Sequence, residues 1–256
     1  MPKISVVIPC YNHGEFLLET LDSVQAQTCT DYEVIIVNDG STDPLTIKLL
    51  QMLDQPKTKV VHIVNKGVSA ARNLAITEAR GDYILTLDAD DKIAPTYLEK
   101  AVAVLDLRSE VGVVFGERLM FGEREGCFPL PAYDPQRILV ENLIYPAAVF
   151  RKVDWQNVGG YNEAMRRGWE DWDFWIALSR LNRVVVKLPE ILFFYRVRSV
   201  SRDHSLRFLH KLQMFWLMLC RNRRLYFRHL PYVFFALSRI IVSGKTKVGN
   251  GETTGC

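Results

Sequence analysis

Short runs of almost continuous apolar residues recur through the first half of this chain, each closed by a turn and parted from the next by a stretch of helical spacing. That rhythm restricts the fold more than any other feature. The β-branched run over 4–8 ends at Pro9, the spacing of Phe16, Leu17, Leu21 and Val24 predicts a helix over 16–27, and a second run covers 32–37. Runs over 60–64 and 83–87 continue the series, with a helix expected over 69–79 between them, and 111–115 reads as a fifth strand. Strands that do not alternate are buried on both faces. The pattern therefore predicts an α/β fold with a mostly parallel, twisted sheet flanked by helices.

In such sheets ligands sit beyond the carboxyl ends of the strands, so the residues there should be chemically capable. They are: Tyr11 and Asn12 after the first strand, Asp39 and Asp43 after the second, Lys66 and Gly67 after the third, and Asp88, Asp90 and Asp91 after the fourth. Read as a continued strand, the last segment puts Asp88 and Asp90 on one face and Asp91 on the other. Carboxylates crowded at a buried strand end repel each other and are poorly solvated, so they need a cation. A divalent metal carrying a phosphorylated ligand would supply it. No Gly-x-Gly-x-x-Gly turn follows the first strand and no P-loop occurs, which excludes the common dinucleotide and P-loop routes to such a ligand.

Beyond the fifth strand the pattern breaks at Gly122, Gly126, Pro129, Pro131 and Pro135, so 118–146 is expected to be a long loop serving as a lid or acceptor wall. A helix over 170–181 and strands over 183–188 and 191–197 follow. With 256 residues, 48% hydrophobic, the chain can bury one sizeable core. Its five cysteines are odd in number and widely spaced, which argues against a disulfide framework or a zinc site and suits a reducing compartment. The start lacks the basic and apolar regions of a signal peptide, so export is not expected.

Charge divides the chain in two. Residues 1–195 carry a balance of −7 and residues 196–247 a balance of +11, with Asp203 the single acid in the latter. In the basic part Leu209, Leu212, Trp216 and Leu219 share one helical face, and Phe227, Tyr232, Phe234, Phe235, Ile240 and Ile241 follow, interspersed with Arg207, Lys211, Arg221, Arg223, Arg224, Arg228 and Arg239. Uncharged runs there are too short for a bilayer, which needs roughly 20 apolar residues. Basic aromatic helices of this kind lie in a membrane interface or pack on a partner or on the body of the protein. No nucleic-acid-binding motif accompanies the charge, so nucleic acid is not an expected partner.

Five motifs come in one order: Val6-Val7-Ile8-Pro9-Cys10-Tyr11-Asn12, Val37-Asn38-Asp39-Gly40-Ser41-Thr42-Asp43, Gly67-Val68-Ser69-Ala70-Ala71-Arg72-Asn73, Leu87-Asp88-Ala89-Asp90-Asp91 and Trp169-Glu170-Asp171-Trp172-Asp173. Together they strongly resemble the family 2 glycosyltransferases of the GT-A fold. The resemblance implies inverting transfer of a sugar from a nucleotide-diphosphate sugar, most often a UDP-sugar, to a hydroxyl of a saccharide acceptor, one expected to be lipid-linked, in polysaccharide or glycolipid synthesis. It implies that Pro9, Tyr11, Asn12, Asp39, Arg72 and Asp88 hold the donor, Asp39 reading N3–H of the base and Arg72 meeting phosphates or nucleobase. Asp90, with Asp88, would hold Mg²⁺ or Mn²⁺. Asp171 falls where the catalytic base is expected, with Glu170 beside it on the acceptor side; Trp172 and Trp175 read as core.

One departure stands out. Where many relatives carry a metal-binding His after Tyr195-Arg196, this chain has Arg198, which cannot ligate a metal but can neutralise a diphosphate directly. His204 is a weaker candidate for the missing ligand. The expected organisation is a catalytic domain over 1–203, a helical, membrane-associating appendage over 204–243 and a disordered tail over 244–256. The expected location is peripheral, on the cytoplasmic face of the plasma (inner) membrane. A nucleotidyltransferase would use a metal and strand-end carboxylates too, but Pro9-Cys10-Tyr11-Asn12-His13-Gly14 is not its Gly-rich phosphate loop. A non-catalytic sugar-nucleotide-binding scaffold is the other alternative, with Asp171 against it and Arg198 in its favour.

Overall fold

A computed structural model describes residues 1–127, 129–198 and 208–243; His204 and the 244–256 tail lie outside the described residues. The first half alternates as its apolar rhythm requires: β1 (Ile4–Cys10), α1 (Gly14–Gln25), β2 (Tyr32–Asp39), α2 (Pro44–Met52), β3 (Thr58–Ile63), α3 (Val68–Glu78) and β4 (Tyr83–Thr86). Then come β5 (Lys92–Ile93), α4 (Tyr97–Leu107), β6 (Val111–Gly122), β7 (Gly126–Cys127), a 3-10 turn at Arg137–Leu139, β8 (Val149–Arg151), α5 (Lys152–Val158), α6 (Glu170–Ser179) and β9 (Val184–Val197). The chain closes on α7 (Phe208–Arg221), α8 (Arg223–Arg228) and α9 (Leu230–Ser243).

Among the described residues the strands form one nine-stranded sheet in the order β3-β2-β1-β4-β8-β6-β9-β5, with β7 on β6. β1 pairs in parallel with β2 and β4, β2 with β3, and β6 with β9. β8 runs antiparallel to both β4 and β6, so β6 and β9 regain the direction of the first four strands. The sheet is thus mostly parallel in direction, with β5, β7 and β8 reversed.

Three local expectations change. The two strands expected over 183–188 and 191–197 are one strand, β9, whose register against β6 slips between Phe115–Lys187 and Glu117–Ile191. Pro189, which has no N–H for the ladder, falls in that slip. Second, β6 continues through Gly122 into what reads as loop, because pairing with β9 rather than local propensity decides where it ends. Third, β4 stops at Thr86, so the carboxylates lie in a turn closed by Asp91 N–H on the carbonyl of Asp88 (3.1 Å), not on alternating strand faces. Among the described cysteines, Cys10, Cys29 and Cys220 are free.

α7 and its followers present two faces. Met214, Met218, Tyr226 and Val233 are buried in the core of the molecule, and the Tyr226 hydroxyl donates to the carbonyl of Leu139 (3.0 Å). The stripe seen in the sequence points the other way: Leu209 is 74% and Trp216 63% exposed. No helix among the described residues is long and apolar enough to cross a membrane.

Packing tightens where β4 begins. A Cβ on Gly81 would lie 2.7 Å from the Ser5 nitrogen and 2.8 Å from the Ile4 carbonyl carbon, backbone atoms that cannot move without breaking β1. The Gly81 N–H donates to Ser5 Oγ (3.0 Å), which donates to Glu33 (2.8 Å), so one glycine lets three strand starts meet. Gly81→Ala should therefore cost about 1–3 kcal/mol through overpacking, read as a lowered urea midpoint at unchanged m-value.

Candidate active site

The polar strand ends meet at one edge of the sheet, and backbone geometry explains how. Asp39, at the end of β2, is buried and accepts the N–H of Lys66 (2.7 Å) and of Gly67 (2.9 Å), the turn that starts α3. Gly67 has φ +91°, which an L side chain would resist. Asn12 also takes positive φ, +57°, and its Oδ1 accepts from the backbone of Thr42 (2.8 Å) and Asp43 (2.9 Å), binding the turn after β1 to the turn after β2. Pro9 is half-buried at the end of β1 and Tyr11 is exposed beside it.

Arg72 stands one turn into α3, 2% exposed. Its Nη2 meets Asp88 Oδ1 at 2.7 Å and its Nη1 meets Glu170 Oε1 at 3.1 Å. The guanidinium lies 5.4 Å from the ring of Tyr161, and its buried Nε has no hydrogen-bond partner. Burial opposes its charge, but Asp88 and Glu170 outweigh that and hold it protonated.

Glu170 and Asp171 open α6, whose entry is unusual. Gly168 has φ +120° and Trp169 φ +63°, a left-handed conformation that costs a non-glycine residue about 1–3 kcal/mol. The Trp169 ring packs edge-on against Trp172 at 5.3 Å, and Trp172 Nε1 donates to the carbonyl of Ile138 (2.6 Å), so packing holds the strained entry. Asp171 is half-buried and accepts from Asn142 of the irregular segment (3.3 Å). Trp172 and Trp175 are core, as read.

The acidic turn is offset by arginines. Arg198 Nη2 lies 3.0 Å from Asp90 Oδ2 and 3.0 Å from His13 Nε2. Arg196 donates its backbone N–H to Asp91 Oδ1 (2.9 Å) and its Nε–H to the carbonyl of Asp90 (2.9 Å). Burial first, then Asp88, raises the Asp90 carboxyl; burial, with Asp90 and Asp88 beside it, raises Asp91 further. Asp90 and Asp88 offer hard oxygens suited to Mg²⁺ or Mn²⁺. One oxygen of each already faces an arginine, and the described residues contain no group of three or more His, Cys, Asp or Glu able to hold a metal. Two carboxylates, each partly paired with an arginine, are fewer ligands than a cation held by protein alone requires.

Sequence reasoning singled out both ends of this arrangement but not its joints. Asn142 lies in a segment with no periodic signal, and His13 was merely part of a turn. Asn73 sits inside a motif yet carried no role: its Oδ1 accepts from Tyr161 N–H (2.8 Å) and its Nδ2 donates to the Tyr161 carbonyl (2.9 Å), placing the ring that covers Arg72.

A carboxyl whose pKa is higher folded than unfolded binds more protons in the native state. Its contribution therefore falls as pH climbs from the ordinary aspartate value through the raised one. Asp91 is such a group, and Asp91→Asn removes the charge while keeping an acceptor for Arg196 N–H. With EDTA present, this variant should melt about 2–4 °C above the wild type at pH 7 and match it at pH 4. Equal or lower melting at pH 7 would show that the Asp91 charge is already compensated.

The model of the glycosyl transferase family 2 matches residues 5–166, more than half of the chain. The uncharacterised glycosyltransferase YwdF of Bacillus subtilis (strain 168) is 30% identical over 191 residues, 71% of this chain and 70% of that protein. Chondroitin synthase of Escherichia coli is 29% identical over 188 residues, 71% of this chain, and the match spans only 27% of the synthase. The S. aureus TarS 1–349 structure in complex with UDP-GlcNAc superposes with a TM-score of 0.70 at 22% identity, covering 85% of this chain and 66% of that one. Motif order, strand-end geometry and the family match agree: the chain belongs to family 2 of the glycosyl transferases.

Proposed function

We propose that this chain transfers a sugar from a nucleoside-diphosphate donor, a UDP-sugar, to a hydroxyl of a saccharide acceptor, with inversion at the anomeric carbon. The observation that carries the reading is Arg72, which joins Asp88 of the strand-end turn to Glu170 of α6, 98 residues from Arg72 in sequence. Donor-side and acceptor-side motifs thereby share one small volume. TarS, the structural relative, has been solved with UDP-GlcNAc and with UDP, which supports the choice of nucleotide.

In this reading Asp39 and its turn seat the base, and Pro9, Tyr11 and Asn12 line the same end. The Asp171 carboxylate takes the proton of the attacking hydroxyl; that oxygen bonds to the anomeric carbon as the bond to the diphosphate breaks on the opposite face. Negative charge then grows on the leaving diphosphate, and in this reading Arg198 neutralises part of it. Asp90 and Asp88 would hold a divalent cation there, and such a cation, when bound, neutralises phosphate charge. Glu170 keeps Arg72 oriented rather than moving a proton itself.

The outward face of the C-terminal helices supports a membrane site. Phe234 is 76% exposed, Phe227, Phe235 and Leu230 are exposed too, and Arg223, Arg224 and Arg228 lie among them. Exposed apolar and cationic side chains on these helices suit the headgroup region of an anionic bilayer, where a lipid-linked acceptor would be met. The cytoplasmic face of the plasma membrane is the location this reading gives.

UDP with Mn²⁺ should raise the melting temperature more than GDP or dTDP, and Asp171→Asn should keep that shift while losing transfer. Absence of any nucleotide effect would overturn the donor assignment, and transfer by Asp171→Asn would remove it as base. In flotation assays the protein should rise with phosphatidylglycerol vesicles and not with phosphatidylcholine ones. Replacing Arg223, Arg224 and Arg228 by Glu should abolish that, since each lost cation near such a surface forfeits about 1 kcal/mol.

A further inference from the structure

Helix α6 carries a second buried acid besides Glu170. Asp173 lies three residues on, so the two share a face, and its side chain is 0% exposed. Its partner comes from the far end of the chain. Arg221 Nη1, at the end of α7, meets Asp173 Oδ2 at 2.5 Å, and Asn222 Nδ2 donates to Asp173 Oδ1 (3.2 Å). Arg221 Nη2 also donates to the carbonyls of Val158 (3.1 Å) and Gly160. These carbonyls belong to the turn closing α5, where Gly159 and Gly160 take φ +78° and +71°.

That turn leads directly into Tyr161, whose ring stacks on Phe174 of α6 (4.1 Å, 25°) and lies against Arg72. Two arginines therefore bracket the acidic face of α6, Arg72 at Glu170 and Arg221 at Asp173. Arg221 touches the 158–160 turn and Arg72 the tyrosine that follows it. Apolar packing of Trp172, Phe174 and Trp175 seats α6, and a charged fork bonded to three oxygens adds at Asp173 a directional contact that apolar packing lacks. The direction of Asp171, between the two bracketed acids, follows from the rotation of α6.

We propose that Arg221, with Asn222, is a positioning residue for the transfer step, so that α7 completes the acceptor wall of the catalytic site. The inference rests on the reading of Asp171 as base. Arg221 bonds to Asp173 and to the Val158 and Gly160 carbonyls, whereas the donor contacts lie on β1, β2, α3, the turn after β4 and Arg198, so its loss should lower turnover and leave donor binding alone.

The test compares wild type, Arg221→Met, Arg221→Lys and Asp173→Asn. Probes are UDP binding by calorimetry, UDP release from UDP-GlcNAc, and amide hydrogen exchange. Arg221→Met should lose about tenfold or more in kcat at unchanged KM and unchanged UDP affinity, the signature of a lost transition-state arrangement. Arg221→Lys should recover part of it, since an ammonium keeps the charge but not the fork. Exchange should rise in 158–161 and 170–176 and stay level in β1, β2 and β4. Should Arg221→Met not fold, Asp173→Asn, which preserves shape, should show the same kcat loss and local exchange. Wild-type kcat and exchange in the folded variants would overturn the proposal. If the wild type itself neither binds UDP nor releases it from UDP-GlcNAc, the donor reading fails, and the exchange comparison still decides whether Arg221 holds α6.

Discussion

A buried guanidinium between two carboxylates is the interaction on which the rest of this site depends. Arg72 comes from α3, Asp88 from the turn after β4, and Glu170 from the start of α6, so three segments distant in sequence are held by one cation. Burying any of the three charges alone would be prohibitive, and removing one partner from such a group costs about 3–5 kcal/mol because the others are stranded. Each charge is therefore a condition for the others. The sheet brings α3 and the acidic turn to the same edge; the ion triad brings α6 to them.

Around this triad the same logic repeats with different arginines. Arg198 faces Asp90, the backbone of Arg196 serves Asp91, and Arg221 faces Asp173. The acidic body and the basic C-terminal part of the chain are thus complementary within one molecule. Some of the charge excess seen in residues 196–247 lies inside the fold, and Arg223, Arg224 and Arg228 of α8 face outward near exposed aromatics. The helices that carry the proposed lipid-facing surface are the same ones that reach the buried side of α6. Met214 and Met218 make that inner contact, and Leu209 and Trp216 lie on the opposite side of the same helix.

The alternation of strands and helices in the first half was legible because a strand buried on both faces can hardly be built from anything but consecutive apolar residues. β1, β2, β3, β4, α1 and α3 appear where the rhythm puts them. β9 was not legible as one strand, since Pro189 interrupts the local pattern and only pairing with β6 carries the strand past it. The outward stripe of α7 misled in a similar way: Leu209, Leu212 and Trp216 have the spacing of a buried face, but the face that docks is built from Met214, Met218, Arg221 and Asn222. Periodicity locates an apolar face; it does not say whether the rest of the chain covers it.

By itself, the sequence determined the alternating strands of the first half and the acidic strand ends at Asp39, Asp88 and Asp90, because strand direction alone gathers loops at one edge, while the family resemblance of the motifs marked Arg72, Glu170 and Asp171. Pairing was left to the tertiary structure. It set Arg72 against two carboxylates, Arg198 against Asp90, and Arg221 against Asp173 of α6, 48 residues earlier in the chain. The physical reason is that a charge declares its need for a partner locally, through its own burial and its neighbours, whereas the identity of that partner depends on which distant segment the fold brings within hydrogen-bonding reach.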